Sequence, residues 1–308
     1  MKLDEYKNCN LCPRRCGIDR SRAIGYCRAG DKLKIARADL HMWEEPCISG
    51  KRGSGAIFFT GCNMGCVFCQ NKEISRGETG KEITCDRLTD IFYELKEKGA
   101  VNINLVTADI YIPTIRIAID NVKMSGFDLP FILNTSGYIN RKSIESLKGL
   151  IDIYLPDMKY IRDKDALRYS NAPDYPDVCR TAIDEMVRQQ PECEFTETED
   201  GPLLQRGVVV RHLLMPGMLI QAKMILKYLH ERYGDKILLS LLDQYTPNGC
   251  LSDHPEVDRK VSESEYRSLV RYAENIGITR GYIQDKASAD EAFIPDFDLS
   301  GVISRETE

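Results

Sequence analysis

The chain has 308 residues, 43% of them hydrophobic, and a net charge of −5 with both signs spread along its length. That is enough apolar residue for one sizeable core, without the basic stripe of a nucleic-acid-binding protein. No apolar run approaches the ~20 residues of a membrane helix, and MKLDEYKNCN carries no apolar signal segment, so neither membrane nor nucleic acid is expected as a partner and a cytoplasmic location is.

Twelve cysteines are too many for a reducing compartment unless some of them bind a metal. The first group, CNLCPRRCGIDRSRAIGYC, sets Cys9, Cys12, Cys16 and Cys27 in a C-x2-C-x3-C-x10-C array. Four thiolates at this spacing suit either a tetrahedral structural zinc or a fully ligated iron–sulfur cluster, and both readings stand. Residues 1–50 are rich in turn formers and predict a separate cysteine-rich lobe, with Trp43, the single tryptophan, packed between it and the rest.

From residue 51 to about 290 short β-branched runs alternate with amphipathic stretches. The strands are expected at AIFFT (56–60), NINLVT (102–107), FILNTS (131–136), IDIYLPD (151–157), VVVRHLLM (208–215) and KILLSLLDQY (236–245). Helices are expected at 85–99, 112–126, 221–234 and 262–277; the first has apolar Leu88, Ile91, Phe92 and Leu95 on one face and Gly99 as a stop. Continuous apolar strands alternating with helices imply parallel strands covered on both faces. The fold class is therefore α/β, a partial (β/α)6 TIM-type barrel with a small N-terminal cysteine-rich lobe. The acidic, turn-rich stretch 191–206 reads as a surface insertion, and 291–308 as a C-terminal tail. Cys47, Cys85, Cys179, Cys193 and Cys250 stand singly and read as small buried hydrophobes.

The second cysteine group lies in GCNMGCVFCQN (61–71), directly after the first expected barrel strand. Loops after the strands build the active site of a parallel barrel, so chemistry is expected there. Cys62, Cys66 and Cys69 are one ligand short of a closed site, and an open coordination position marks a catalytic metal rather than a structural one.

The spacing C-x3-C-x-aromatic-C, with Phe68 as the aromatic, resembles the radical S-adenosylmethionine (SAM) superfamily. HMWEEPCISGKRGSGAIFFTGCNMGCVFCQNKEIS, NTSGY, IDIYLPDMKY, YSNAPDYP and VVVRHLLMPG extend the likeness to the pyruvate formate-lyase activating enzyme-related group that bears an N-terminal cysteine motif. The resemblance implies a [4Fe–4S] cluster on Cys62, Cys66 and Cys69, with SAM on the fourth iron. It implies an electron donor such as flavodoxin or ferredoxin, and hydrogen abstraction by a 5′-deoxyadenosyl radical. The implied substrate is a glycine of a glycyl-radical partner protein; the alternative is a peptide or small molecule modified directly. By the same resemblance Phe68, Cys69 and Gln70 pack on the cofactor, Asn134, Thr135 and Asp157 hold a monovalent cation, and Lys159 meets the SAM carboxylate. Arg211 and His212 fall where SAM or substrate is positioned, and strand alternation lets only one of them face inward. Gln244 and Tyr245 would line substrate space. The family's Gly-Gly-Glu motif for the SAM amino group is replaced by Thr107-Ala108-Asp109, of which Asp109 is the residue able to accept from an ammonium.

Overall fold

The structure, a computed structural model, describes residues 3–247, 251–284 and 295–303; Cys250 and the 290/291 boundary lie outside them. Among the described residues ten strands form one sheet: β1 (Leu33–His41), β2 (Ser54–Phe59), β3 (Lys81–Ile83), β4 (Ile103–Val106), β5 (Phe131–Thr135), β6 (Ile153–Pro156), β7 (Glu194–Thr198), β8 (Gly201–Leu213), β9 (Leu238–Leu242) and β10 (Gly281–Ile283). Their spatial order is β10-β9-β8-β6-β5-β4-β2-β1-β3, with β7 hairpinned onto β8. From β2 to β10 every neighbouring pair on this path is parallel. The outermost strands, β3 and β10, are not paired with each other, so the result is a partial TIM-type barrel.

The six expected strands are present, and the sheet is larger than the sequence suggested. A short parallel β10 follows the helix Glu263–Asn275. On the other flank β1 runs antiparallel along β2, from Ile35 opposite Phe59 to His41 opposite Ser54. Residues 33–41, read with the lobe, thus belong to the barrel sheet. The 191–206 stretch is on the surface as expected, but it is a β-hairpin rather than an irregular insertion, with β7 exposed along its whole length.

Local chemistry explains the elements. β2, β4, β5 and β6 are buried at every residue, as parallel strands covered on both faces must be. The helix Cys85–Glu97 buries Leu88, Ile91, Phe92 and Leu95, and Thr84 Oγ1 caps it by accepting from Arg87 N at 3.0 Å. The N-terminal mouth of the barrel is closed by the helical turn Pro46–Ser49, whose Cys47 and Ile48 pack against Ile132, Ile153, Val209 and Leu238. The described C-terminal residues lie along β1, where Leu299 N donates to Ala36 O at 3.0 Å and Ala38 N to Ser300 O at 2.8 Å.

The cysteine-rich lobe sits over the C-terminal end of the barrel. Cys9 N donates to Ile18 O and Gly17 N to Cys9 O, both at 2.9 Å, so the chain folds back on itself around Cys12 and Cys16. Arg20 ties the lobe down by donating to Ile110 O at 2.5 Å, and Tyr6 shares a 3.0 Å hydroxyl contact with Thr114.

Candidate active site

The loop after β2 is held from three sides. Gly61 N donates to Ile74 O at 2.7 Å, Asn63 Nδ2 to Tyr138 O at 2.6 Å, and Val67 N to Tyr169 O at 2.9 Å. Gly61 has a φ of +97°, a conformation that side-chain-bearing residues avoid. This turn carries Cys62, Cys66 and Cys69 onto the wall of one cavity of about 240 Å³ at the C-terminal ends of the parallel strands. Ser170 Oγ donates to Cys66 Sγ at 2.9 Å, and Met64 N to Cys62 Sγ at 3.4 Å.

Burial pushes the Cys62 thiol well up, and neighbouring Cys66 and Cys69 add to the push. Cys69 is raised by burial and by Cys66. All three thiols are free. Among the described residues, no three Cys, His, Asp or Glu side chains close on a single-ion site. Three thiols on the wall of one cavity are a donor set that a multi-iron group could use, with the rest of the cavity left beside it.

On the same cavity the strand ends supply charge. Lys159 Nζ donates to Asp157 Oδ2 at 2.6 Å, and Arg211 Nε to Asp157 Oδ1 at 2.9 Å. Arg211 also reaches Asn134 Oδ1 at 2.6 Å and Glu44 Oε2 at 3.1 Å. Burial alone would raise the Asp157 carboxyl, but the two cations hold it below the usual range. Burial likewise acts to lower Lys159, and Asp157 outweighs it, so the ammonium is kept charged. The oxygens expected to hold a monovalent cation are thus engaged by side chains: Asn134 Oδ1 and Asp157 Oδ1 accept from Arg211, and Thr135 Oγ1 donates to Asp109 Oδ2 at 2.9 Å.

Asp109 lies behind Thr135, only 1% exposed, and its Oδ1 has no hydrogen-bond partner. Burial lifts its carboxyl to about 7, against the pull of the Thr135 hydrogen bond. Thr107, at the cavity wall, has a φ of +61°, a left-handed conformation that is strained for a β-branched residue. A glycine would suit that backbone without strain.

Phe68 and Gln70 both line the cavity: Phe68 packs on Tyr245 with ring centroids 5.8 Å apart, and Gln70 Nε2 donates to Gln244 O at 2.8 Å. His212 does not join the site. It alternates with Arg211 on β8, so its ring turns to the other face, where Nδ1 lies 2.8 Å from Met158 O. Burial lowers that imidazole to about 4. Trp43 is also placed differently from expectation: it is 58% exposed at the cavity rim rather than packed under the lobe.

Sequence reasoning missed Glu44, Glu45 and Asn104. The chain from β1 enters the barrel beside Pro46 and sets Glu44 Oε1 2.9 Å from Asn104 Nδ2 and 3.2 Å from Asn134 Nδ2. Burial raises the neighbouring Glu45 carboxyl. The available signals were a polar residue inside the apolar strand NINLVT and an acidic pair next to a proline.

A family model described as the radical SAM superfamily matches residues 56–192. An uncharacterized protein of Methanocaldococcus jannaschii is 26% identical over 285 residues, covering 89% of this chain and 76% of its own. Among solved structures, the FeFe-hydrogenase maturase HydG from Carboxydothermus hydrogenoformans aligns with a TM-score of 0.51 at 16% identity, over 76% of this chain and 54% of that one. Streptococcus suis SuiB bound to S-adenosylmethionine aligns at 0.49 and 12% identity, over 73% of this chain and 48% of its own. The chain thus spans about half the length of these solved structures, and the HydG likeness speaks to the fold alone.

Proposed function

We propose that this chain, which belongs to the radical SAM superfamily through residues 56–192, holds its [4Fe–4S] cluster on Cys62, Cys66 and Cys69 and activates a glycyl-radical partner. The superfamily implies both the cluster and SAM; when bound, the cluster supplies the electron that cleaves SAM to methionine and the 5′-deoxyadenosyl radical that abstracts the substrate hydrogen. The observation that carries the reading is that three thiols from one loop and the Lys159–Asp157–Arg211 group line the same cavity.

This chain's residues do the binding and positioning. Lys159 keeps a charged ammonium near the thiols, where it can receive a carboxylate. Asp109 offers an unpartnered buried oxygen suited to an ammonium, and gives up its proton when one arrives. Phe68 and Tyr245 form an apolar face for the adenine. Arg211, fixed between Asp157, Glu44 and Asn134, acts in place of a separate monovalent cation. The exposed Trp43 and Met42 at the rim favour a macromolecular substrate that docks at the opening. An electron donor of the flavodoxin or ferredoxin class is required.

Anaerobic reconstitution tests the reading. Wild-type protein with reductant and SAM should form 5′-deoxyadenosine, and a candidate glycyl-radical partner should then show a carbon-centred radical in its spectrum. A Cys62→Ala/Cys66→Ala/Cys69→Ala variant that still cleaves SAM would overturn the site. A stable modified peptide or small molecule in place of a stored radical would overturn the activase assignment and leave the cofactor assignment standing.

A further inference from the structure

The N-terminal cysteines are not used by that chemistry, yet their surroundings are specific. Cys9, Cys12 and Cys27 are 7%, 6% and 6% exposed, and all four thiols are free. A Cβ on Gly25 would lie 3.6 Å from both Cys16 Sγ and Cys27 Sγ, and Cys9 and Cys12 belong to the same fold of chain, closed by Cys9 N donating to Ile18 O and Gly17 N to Cys9 O. Four largely buried thiols drawn from one fold of the chain supply the ligand count of a fully ligated iron–sulfur cube.

The lobe meets the catalytic loop backbone to backbone. Cys62 N donates to Cys27 O at 3.1 Å, so one ligand of each cysteine group shares a hydrogen bond. The close approach depends on Gly61, since a Cβ there would stand 2.6 Å from Cys27 O. Arg14 clamps the contact: it donates to Asn63 O at 2.8 Å and Asn171 O at 2.6 Å, and its guanidinium lies 3.9 Å from the Tyr26 ring centroid. Cys16 is less buried than the other three, and Ile24, the sequence neighbour of Gly25, is 68% exposed.

We propose that Cys9, Cys12, Cys16 and Cys27 hold a second, fully ligated four-iron cluster that passes electrons to the cluster on Cys62, Cys66 and Cys69 through the Cys27–Cys62 hydrogen bond. The proposal rests on the radical SAM reading of the second group. Four protein ligands leave no open iron, which suits a relay and not a substrate site. A reduced low-potential one-electron carrier protein, of the ferredoxin or flavodoxin class, docks near Ile24 and is oxidised by one electron as the lobe cluster is reduced by one. The lobe cluster is then reoxidised as the catalytic cluster is reduced by one. No bond breaks until SAM accepts that electron.

Metal analysis and electron paramagnetic resonance of the anaerobically reconstituted full chain test this. Wild type should carry about eight irons, two cubes' worth, and Cys12→Ser/Cys27→Ser about four. Adding SAM should shift one of two reduced-state signals in wild type and the sole signal in the variant. With reduced carrier protein, the SAM-responsive signal should appear at least tenfold more slowly in the variant. Freeze-quenched wild type decides the order by itself, should the variant not fold: the SAM-insensitive signal must rise first. One zinc with about four irons in wild type, or a SAM-responsive signal that rises first, overturns the relay. Those outcomes leave the radical SAM reading intact, which fails separately if the Cys62/Cys66/Cys69 triple variant keeps a SAM-responsive signal.

Discussion

Asp109→Asn gives the most direct measure of how the site is poised. The Asp109 carboxyl titrates at about 7 when folded against an ordinary value of 3.8, because it is 1% exposed and only Thr135 supports one oxygen. A carboxyl whose folded value is raised contributes stability while it is protonated in both states, and loses that contribution as pH rises. The contribution is therefore complete below pH ~4, falls by up to about 1.4 kcal/mol per pH unit, and is gone above pH ~7. Over the full window this amounts to about 4 kcal/mol. Asparagine mimics the neutral acid and does not titrate. Urea unfolding of the iron-free protein from pH 4 to 8 should show wild type losing stability relative to Asp109→Asn until about pH 7, then running parallel to it. A constant offset from an imperfect amide hydrogen bond changes the intercept and not the slope. Parallel pH profiles throughout would refute a neutral, buried Asp109. The same oxygen should make SAM binding release a proton at pH 6 in wild type and none in the variant, read by calorimetry in two buffers of different ionisation enthalpy.

Three further changes follow from the geometry. Thr107→Gly should stabilise the chain by about 1 kcal/mol, because relief of the left-handed strain at φ +61° exceeds the added chain entropy; a lowered urea midpoint would count against it. Arg211→Met should cost about 3 kcal/mol by stranding Glu44 and Asp157 in the interior, and Glu44→Gln in the same background should recover part of that loss; equal midpoints for the single and double variants would show that the network is not coupled. Gly61→Ala should cost about 2 kcal/mol, since the residue has φ +97° and its Cβ would press on Cys27 O, and it should also slow reduction of the catalytic cluster. Unchanged stability and reduction rate would mean that the lobe contact yields freely.

The legible parts of this protein are those where one local pattern fixes the outcome. Continuous apolar runs such as AIFF and IYLP have a single way to be buried on both faces, and the parallel sheet follows from them. The position of the cysteine loop was readable too, because a loop that follows the first parallel strand opens at the C-terminal end of the sheet. What was not readable depends on partners far away in the chain. β1, LKIARADLH, mixes charged and apolar residues and is a strand because β2 offers it an edge. β10 is three residues long and takes its conformation from β9. Glu44 gains its meaning from Asn104, Asn134 and Arg211, none of which is near it in sequence.

That last group also bears on what the cavity is built to receive. A buried ion network seldom stabilises a fold better than apolar packing of the same volume, so its presence in the barrel calls for another use. Its charges are matched: Glu44 and Asp157 against Arg211 and Lys159, while burial drives Glu45 and Asp109 toward their neutral forms. Asp157 is held on one side by Arg211, so the pull on Lys159 is shared, and an ammonium with three donors spends one of them on Asp157 Oδ2. Lys159 lines the cavity together with the three cysteines, where its other donors are available. Asp109 presents the opposite function, an acid that ionises once a cation is brought to it. A ready positive group on the cavity wall with a latent acid buried behind Thr135 is the pairing that a zwitterion would need, and an amino-acid headgroup such as that of SAM is one. Loss of Asp109 titration and loss of the Lys159 charge should therefore weaken SAM binding by separate routes, and Asp109→Asn with Lys159→Met should show additive losses in affinity unless the two groups contact each other.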